Sequence, residues 1–189
     1  SSIGVSEQEC VVSFVSRLVW EKDLQTYVDT INKLKEAATG IKALVVGDGP
    51  AKKELQQMLP DAHFTGYLTG EELATAYASS DIFLFPSDTE TFGNVTLEAM
   101  ASGLPCVVAD APGSKSLVES GISGYMVPPR DTEEFTRCVQ KIREDEELRR
   151  KMGKTARQKA LAYSWDTVNA KLLENYREAL REPMPTLKF

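Results

Sequence analysis

Pro86-Ser87-Asp88-Thr89-Glu90-Thr91-Phe92-Gly93-Asn94-Val95-Thr96-Leu97-Glu98-Ala99-Met100-Ala101-Ser102-Gly103 is the stretch on which the fold turns. Just before it the apolar run Ile82-Phe83-Leu84-Phe85 stops at a proline, and just after it Leu104-Pro105 leads into a second apolar run, Cys106 to Ala109. Such an order reads strand, loop, buried helix, strand. The helix start then sits at the carboxyl end of a strand, where open α/β sheets bind ligands. Two carboxylates, Glu90 and Glu98, bracket that start.

Working outward, the same alternation repeats. Cys10 to Val15 and Ile41 to Val46 are β-branched, near-continuous apolar runs of the kind buried on both faces of a parallel sheet. Between them Leu24, Tyr27, Val28, Ile31 and Leu34 recur with helical period behind Asp23, a candidate cap. Pro50 suits a first helical position before a helix over 51–59. A short strand is expected over 62–65, and Thr69 with Glu72 resembles a capping box for a helix reaching about Ser79. A short helix near 115–119, a strand over 124–127 and a helix over 133–143 behind Asp131 complete the pattern. From Glu146 to Leu180 the chain carries no strand signal and reads as helices broken near Tyr163-Ser164, with Ser164 a candidate cap.

Strands alternating with helices predict an α/β fold: a single Rossmann-like, doubly wound parallel sheet of about six strands, in three layers α/β/α, with extra C-terminal helices. One domain is expected over residues 1–189, with its core over about 10–145, added helices over about 146–181 and a frayed tail over 182–189.

Composition narrows the function. Hydrophobic residues make up 42% and charged residues 26% of the chain, which is the balance of a globular domain. A net charge of −6 argues against nucleic acid held through a broadly basic surface. No apolar run reaches the roughly 20 residues of a membrane span, and the first residues lack the basic and apolar regions of a signal peptide. Three cysteines without a C-x-x-C pair read as reduced, buried thiols of a cytoplasmic protein. The lone His63 reads as a structural or surface residue, and no metal site is expected.

Chemistry is expected where the carboxyl-end loops converge. Those loops hold Arg17 and Lys22, Gly47-Asp48-Gly49, Gly66-Tyr67-Leu68, and Glu90 to Asn94. A helix beginning near Gly93 presents unpaired N–H groups and the positive end of its dipole, which suits phosphate. Arg17 and Lys22 add cationic charge, and glycine at 93 admits a ligand close to the backbone. Glu98, one turn into the helix, suits a pair of ribose hydroxyls. Taken singly these are surface charges, a turn and a dipole-favoured carboxylate; four such loops on one sheet edge point to a nucleotide or nucleotide sugar. The Gly47-Asp48-Gly49 turn is neither G-x-G-x-x-G nor a P-loop.

Glu90-Thr91-Phe92-Gly93-Asn94-Val95-Thr96-Leu97-Glu98-Ala99-Met100-Ala101-Ser102-Gly103-Leu104-Pro105, with Ser16-Arg17-Leu18, Glu21-Lys22 and Val46-Gly47-Asp48-Gly49-Pro50, resembles the C-terminal, donor-binding half of a GT-B retaining glycosyltransferase of family 4, or group 1. The stretch from Glu90 carries that family's E-x7-E pattern, and the resemblance runs over about 11–140. It implies that Arg17 and Lys22 hold the donor diphosphate and that Leu68 meets the base. It implies further that Val95 lines the nucleotide site, that Glu98 binds the ribose, and that Glu90 with the backbone of Thr91, Phe92, Gly93 and Asn94 faces the sugar and phosphates. The implied reaction moves a sugar from a UDP- or GDP-sugar to an acceptor hydroxyl with retention and without a metal. Glu90, Arg17 and Lys22 are the implied catalytic groups, with Glu90 either a nucleophile or a positioning group. The family's other, acceptor-binding half would precede this one, so the isolated domain is expected to bind nucleotide weakly and to turn over little or nothing. Peripheral membrane contact, if the parent has it, would belong mostly to that half. Two alternatives stand beside this: a GT-B sugar phosphorylase or nucleotide-sugar epimerase half, and a non-catalytic nucleotide-binding module.

Overall fold

The computed structural model describes residues 9–163 and 165–181. Ser164 as a cap, the first eight residues and the tail over 182–189 lie outside the described residues. In chain order the strands and helices are β1 (Cys10–Val15), α1 (Leu24–Ala37), β2 (Ile41–Val46), α2 (Lys52–Met58), β3 (His63–Gly66), α3 (Gly70–Ala78) and β4 (Ile82–Phe85). There follow α4 (Asn94–Ala101), β5 (Cys106–Ala109), α5 (Pro112–Lys115), β6 (Gly124–Val127), α6 (Thr132–Glu144), α7 (Glu146–Leu161) and α8 (Trp165–Arg181).

All six strands form one sheet in the order β3-β2-β1-β4-β5-β6, and each neighbouring pair is parallel. Successive strands run outward from β1 in one direction and, after β4, in the other. Right-handed crossovers moving in opposite directions put α1 and α4 on opposite faces of the sheet. Helix α6 packs with α1 and α7 with α4, which gives the three layers the sequence predicts. Strands β1, β4 and β5 are buried along their whole length, so burial on both faces explains why they read as continuous apolar runs. Phe14 lies between Tyr27 and Phe85, at ring-centroid distances of 5.0 and 5.5 Å, and ties α1 to the two central strands. Where α7 crosses the end of α4, a β-carbon on Gly153 would stand 2.1 Å from the carbonyl oxygen of Gly103; only glycine permits that approach.

Several local expectations shift. Helix α2 begins at Lys52, with Ala51 at its N-cap, so Pro50 lies in the preceding turn rather than in the first helical position. Thr69 does occupy the N-cap of α3, but its side chain makes no capping bond, so the capping box is not formed. The short helix after β5 is a single turn at Pro112–Lys115, upstream of the 115–119 expected, because a proline at N1 starts a helix readily. Asp23 and Asp131 cap as read, accepting from Thr26 N at 3.4 Å and Glu134 N at 3.0 Å. Asp145, inside the charged run, caps α7 through Leu148 N at 2.8 Å. The three cysteines are free and buried.

Candidate functional site

Because the strand order reverses between β1 and β4, the loops leaving these neighbours part company and leave a crevice at their carboxyl ends. The loop after β1 carries Arg17 and, in a 3-10 turn, Lys22. The loop after β4 carries Thr89 to Phe92 into Gly93, which caps α4 with φ of 84° and no side-chain bond. That left-handed conformation favours glycine, and it opens a helix whose first N–H groups, at Asn94, Val95 and Thr96, have no partner within the helix. On α4, Thr96, Ala99 and Met100 are buried against the sheet. Val95 and Glu98, three residues apart, share the neighbouring face.

A cavity of about 590 Å³ opens at this edge. Val15, Val46, Leu68, Leu73 and Val95 supply its apolar wall, while Arg17, Asp48 and Glu98 supply its charges. Four of the residues singled out in the sequence, Arg17, Leu68, Val95 and Glu98, therefore meet around one volume. Tyr67 also lines it, with 78% of its surface exposed.

Lys22 and Glu90 lie outside that lining and meet each other. Lys22 Nζ stands 2.5 Å from Glu90 Oε1, with only 19% and 21% of the two side chains exposed. Lys22 also reaches Thr89 Oγ1 at 3.4 Å, and Thr89 is held in turn by the buried Ser87 hydroxyl at 3.1 Å. Behind Glu90, its carbonyl accepts from Gly113 N at 3.2 Å, so α5 braces the loop. Arg17 pairs with Glu21 at 2.9 Å in an exposed setting, which leaves it far less constrained than Lys22. Thr91 and Asn94 are exposed beside the helix start. Phe92 turns to Tyr163, meeting its ring edge-on at 5.9 Å, and is not among the residues lining the cavity.

Asp48 stands in a loop that the sequence singles out, without a role of its own, and Tyr77 escaped the sequence altogether. Asp48 lines the cavity while accepting from Lys52 Nζ and Gly49 N, both at 2.8 Å. The Lys52 contact first, and the Gly49 bond second, hold its carboxyl below the usual range. Tyr77, on α3, is 2% exposed and packs against Phe83. Its hydroxyl, however, lies 2.9 Å from Glu98 Oε2 and 3.2 Å from the Val95 carbonyl. Burial first, and the Glu98 charge second, push this phenol well up, so it stays protonated and donates. A buried phenol requires a partner, and that requirement was the available signal. Among the described residues no group of three or more His, Cys, Asp and Glu side chains comes together as a metal site. Nor is any described helix long and apolar enough to cross a membrane.

Known proteins supply an independent comparison. The chain is 39% identical over 188 residues to a sulfoquinovosyl transferase of Arabidopsis thaliana, covering 95% of this chain and 35% of that protein. It is 35% identical over 181 residues to a GDP-mannose-dependent alpha-mannosyltransferase of Corynebacterium glutamicum, covering 95% and 43%. The chain thus spans less than half the length of these relatives. Among solved structures, Anabaena HepE in complex with UDP-glucose superposes with a TM-score of 0.82 at 27% identity, over 94% of this chain and 50% of that one. The sheet described here therefore corresponds to one Rossmann-like half of a GT-B fold. The family model for glycosyl transferases group 1 matches residues 1–159, and with most of its length so matched the chain belongs to the group 1 glycosyltransferases.

Proposed function

We propose that this chain, taken as one domain over residues 1–189, is the donor-binding half of a hexosyltransferase that moves a sugar from a UDP- or GDP-sugar to an acceptor hydroxyl with retention. One observation carries the proposal: Arg17, Leu68, Val95 and Glu98 converge on a single cavity at the reversal point of the sheet, beside the start of α4. Relatives named for GDP-mannose-dependent transfer and a HepE crystal holding UDP-glucose support that donor class.

In this reading the base rests on Leu68 and the apolar wall, and the ribose hydroxyls donate to Glu98. The diphosphate takes Lys22, Arg17 and the N–H groups at the start of α4. Glu90 is left to face the sugar, together with the backbone of Thr91, Phe92, Gly93 and Asn94. Transfer builds negative charge on the departing diphosphate, and a fixed ammonium, a guanidinium and a helix N-terminus lower the cost of that charge. They supply the countercharge a metal supplies elsewhere, and the proposal requires no metal. The acceptor, with any peripheral membrane contact, is assigned to a second domain of the parent. Buried free thiols fit a reducing, cytoplasmic setting.

The test is calorimetric titration with UDP, GDP and ADP, followed by the corresponding nucleotide sugars and a panel of hydroxyl acceptors. Binding of UDP or GDP that Glu98→Gln weakens about tenfold or more, without appreciable transfer by the isolated chain, is the expected result. Failure of all three nucleotides to bind would overturn the donor assignment, and rapid transfer by this chain alone would overturn the division of labour.

A further inference from the structure

Tyr77 is a buried polar group of the site, bonded to Glu98, that donor binding as proposed leaves without a task. We propose that Tyr77 is a positioning residue: its hydroxyl fixes the Glu98 carboxylate for the two ribose hydroxyls and so sets the discrimination between ribonucleotide and deoxyribonucleotide. The inference rests on the assignment of Glu98 to the ribose.

Glu98 is an exposed side chain on a helix surface, and an unheld glutamate there samples several rotamers. Recognition of a vicinal diol needs both carboxylate oxygens in one plane, each with a lone pair toward one hydroxyl. The hydroxyl of Tyr77 donates to Oε2 at 2.9 Å and leaves Oε1 and a second lone pair on Oε2 for the ligand. The phenol itself cannot move with the carboxylate. Tyr77 is 2% exposed, its ring is tilted at 60° to that of Phe83 of β4 with centroids 6.2 Å apart, and the Val95 carbonyl lies 3.2 Å from the same oxygen. One donor on α3, packed against the sheet, thus joins α3 to α4, the two helices that flank this side of the cavity. Because its proton is held tightly by burial, the donor does not switch off in the neutral range. A phenol that donates to the carboxylate also lowers the entropy that Glu98 loses when ribose arrives, since the side chain is ordered beforehand.

A structural role alone makes a different prediction. Removing a buried hydroxyl that only joins two helices lowers stability and weakens every ligand alike. Removing one that aims Glu98 alters the ribose term and spares the phosphate term.

The experiment measures dissociation constants of the 189-residue chain for UDP and GDP, their 2′-deoxy and 3′-deoxy forms, and inorganic pyrophosphate. Wild type, Tyr77→Phe, Glu98→Gln and the double variant are compared, with melting curves and pyrophosphate binding reporting that each site is folded. The wild type is expected to prefer ribonucleotide by about tenfold, the scale of one charge-assisted hydrogen bond. Tyr77→Phe should cut that preference to less than about threefold and leave pyrophosphate within about twofold. Glu98→Gln should remove the preference, and the double variant should match Glu98→Gln. Retention of the full preference in Tyr77→Phe while Glu98→Gln loses it overturns the role of Tyr77 alone. Equal weakening of nucleotide, deoxynucleotide and pyrophosphate in Tyr77→Phe also overturns it, in favour of a purely structural hydroxyl. Retention of the preference in Glu98→Gln overturns the ribose assignment, and the inference falls with it.

Discussion

At the residue scale the two glutamates of the Pro86–Gly103 stretch have different neighbours. Glu98 faces the cavity and has a phenol behind it, whereas Glu90 is locked against Lys22. With Lys22 engaged by Glu90 at 2.5 Å, a diphosphate competes with a carboxylate for the ammonium. Lys22→Met should therefore weaken UDP or GDP binding by about tenfold or more, the loss of a charge-assisted bond. Glu90→Gln should strengthen binding of the sugar-free nucleotide by about threefold, because Lys22 loses its internal competitor while keeping a neutral one. Titration of both variants checks this, and weaker nucleotide binding by Glu90→Gln would show that the pair is not competing with phosphate. The spacing of two acidic residues is visible in the sequence. The partner each one finds is not: Lys22 is 68 positions from Glu90, and Tyr77 is 21 from Glu98.

At the scale of elements, the lengths and order of strands and helices were legible because burial periodicity is strong in a sheet covered on both faces. Cap chemistry was legible only in part. Asp131 and Thr69 stand at N-caps of α6 and α3 alike, yet only Asp131 accepts a backbone N–H through its side chain. Asp131→Ala is accordingly expected to cost about 1 kcal/mol of stability, and Thr69→Ala only a few tenths. Urea unfolding of the two variants separates them, and equal losses would mean that Thr69 caps in solution. The reason sequence alone failed at Thr69 is that a capping bond depends on the side-chain rotamer, which the loop leaving β3 decides. Helix α5 is similar: its placement one turn early follows Pro112, but its bracing of the Glu90 carbonyl through Gly113 requires β4 and β5 to lie side by side.

At the scale of the whole molecule, burial governs the response to alkali. Burial first, and Asp81 second, push the Cys10 thiol up to about 12; burial first, and Glu134 second, push Cys138 to about 12 as well. Cys106, Tyr27 and Tyr77 are raised in the same direction, burial being the largest cause in each. The unfolded chain releases these protons from its ordinary values near 9.0 and 10.0, whereas the folded chain keeps them. Stability is therefore intact below about pH 9 and falls as pH rises toward 12, by up to about 1.4 kcal/mol per pH unit for each group. A melting temperature that drops between about pH 8 and pH 10.5 is expected, and a flat profile would contradict the burial of these groups. Sequence by itself determined the alternation of strands with helices, clearest in the apolar runs of β1, β2, β4 and β5, and the Glu90-to-Pro105 stretch that marks the family. These are local patterns, repeated every few residues, and hydrophobic burial enforces them without reference to distant partners. Tertiary structure alone decided that Lys22 binds Glu90, that Tyr77 stands behind Glu98, and that Phe92 turns to Tyr163. Those choices depend on where separate helices and loops come to rest around the sheet, and no spacing within one segment encodes the distance between two.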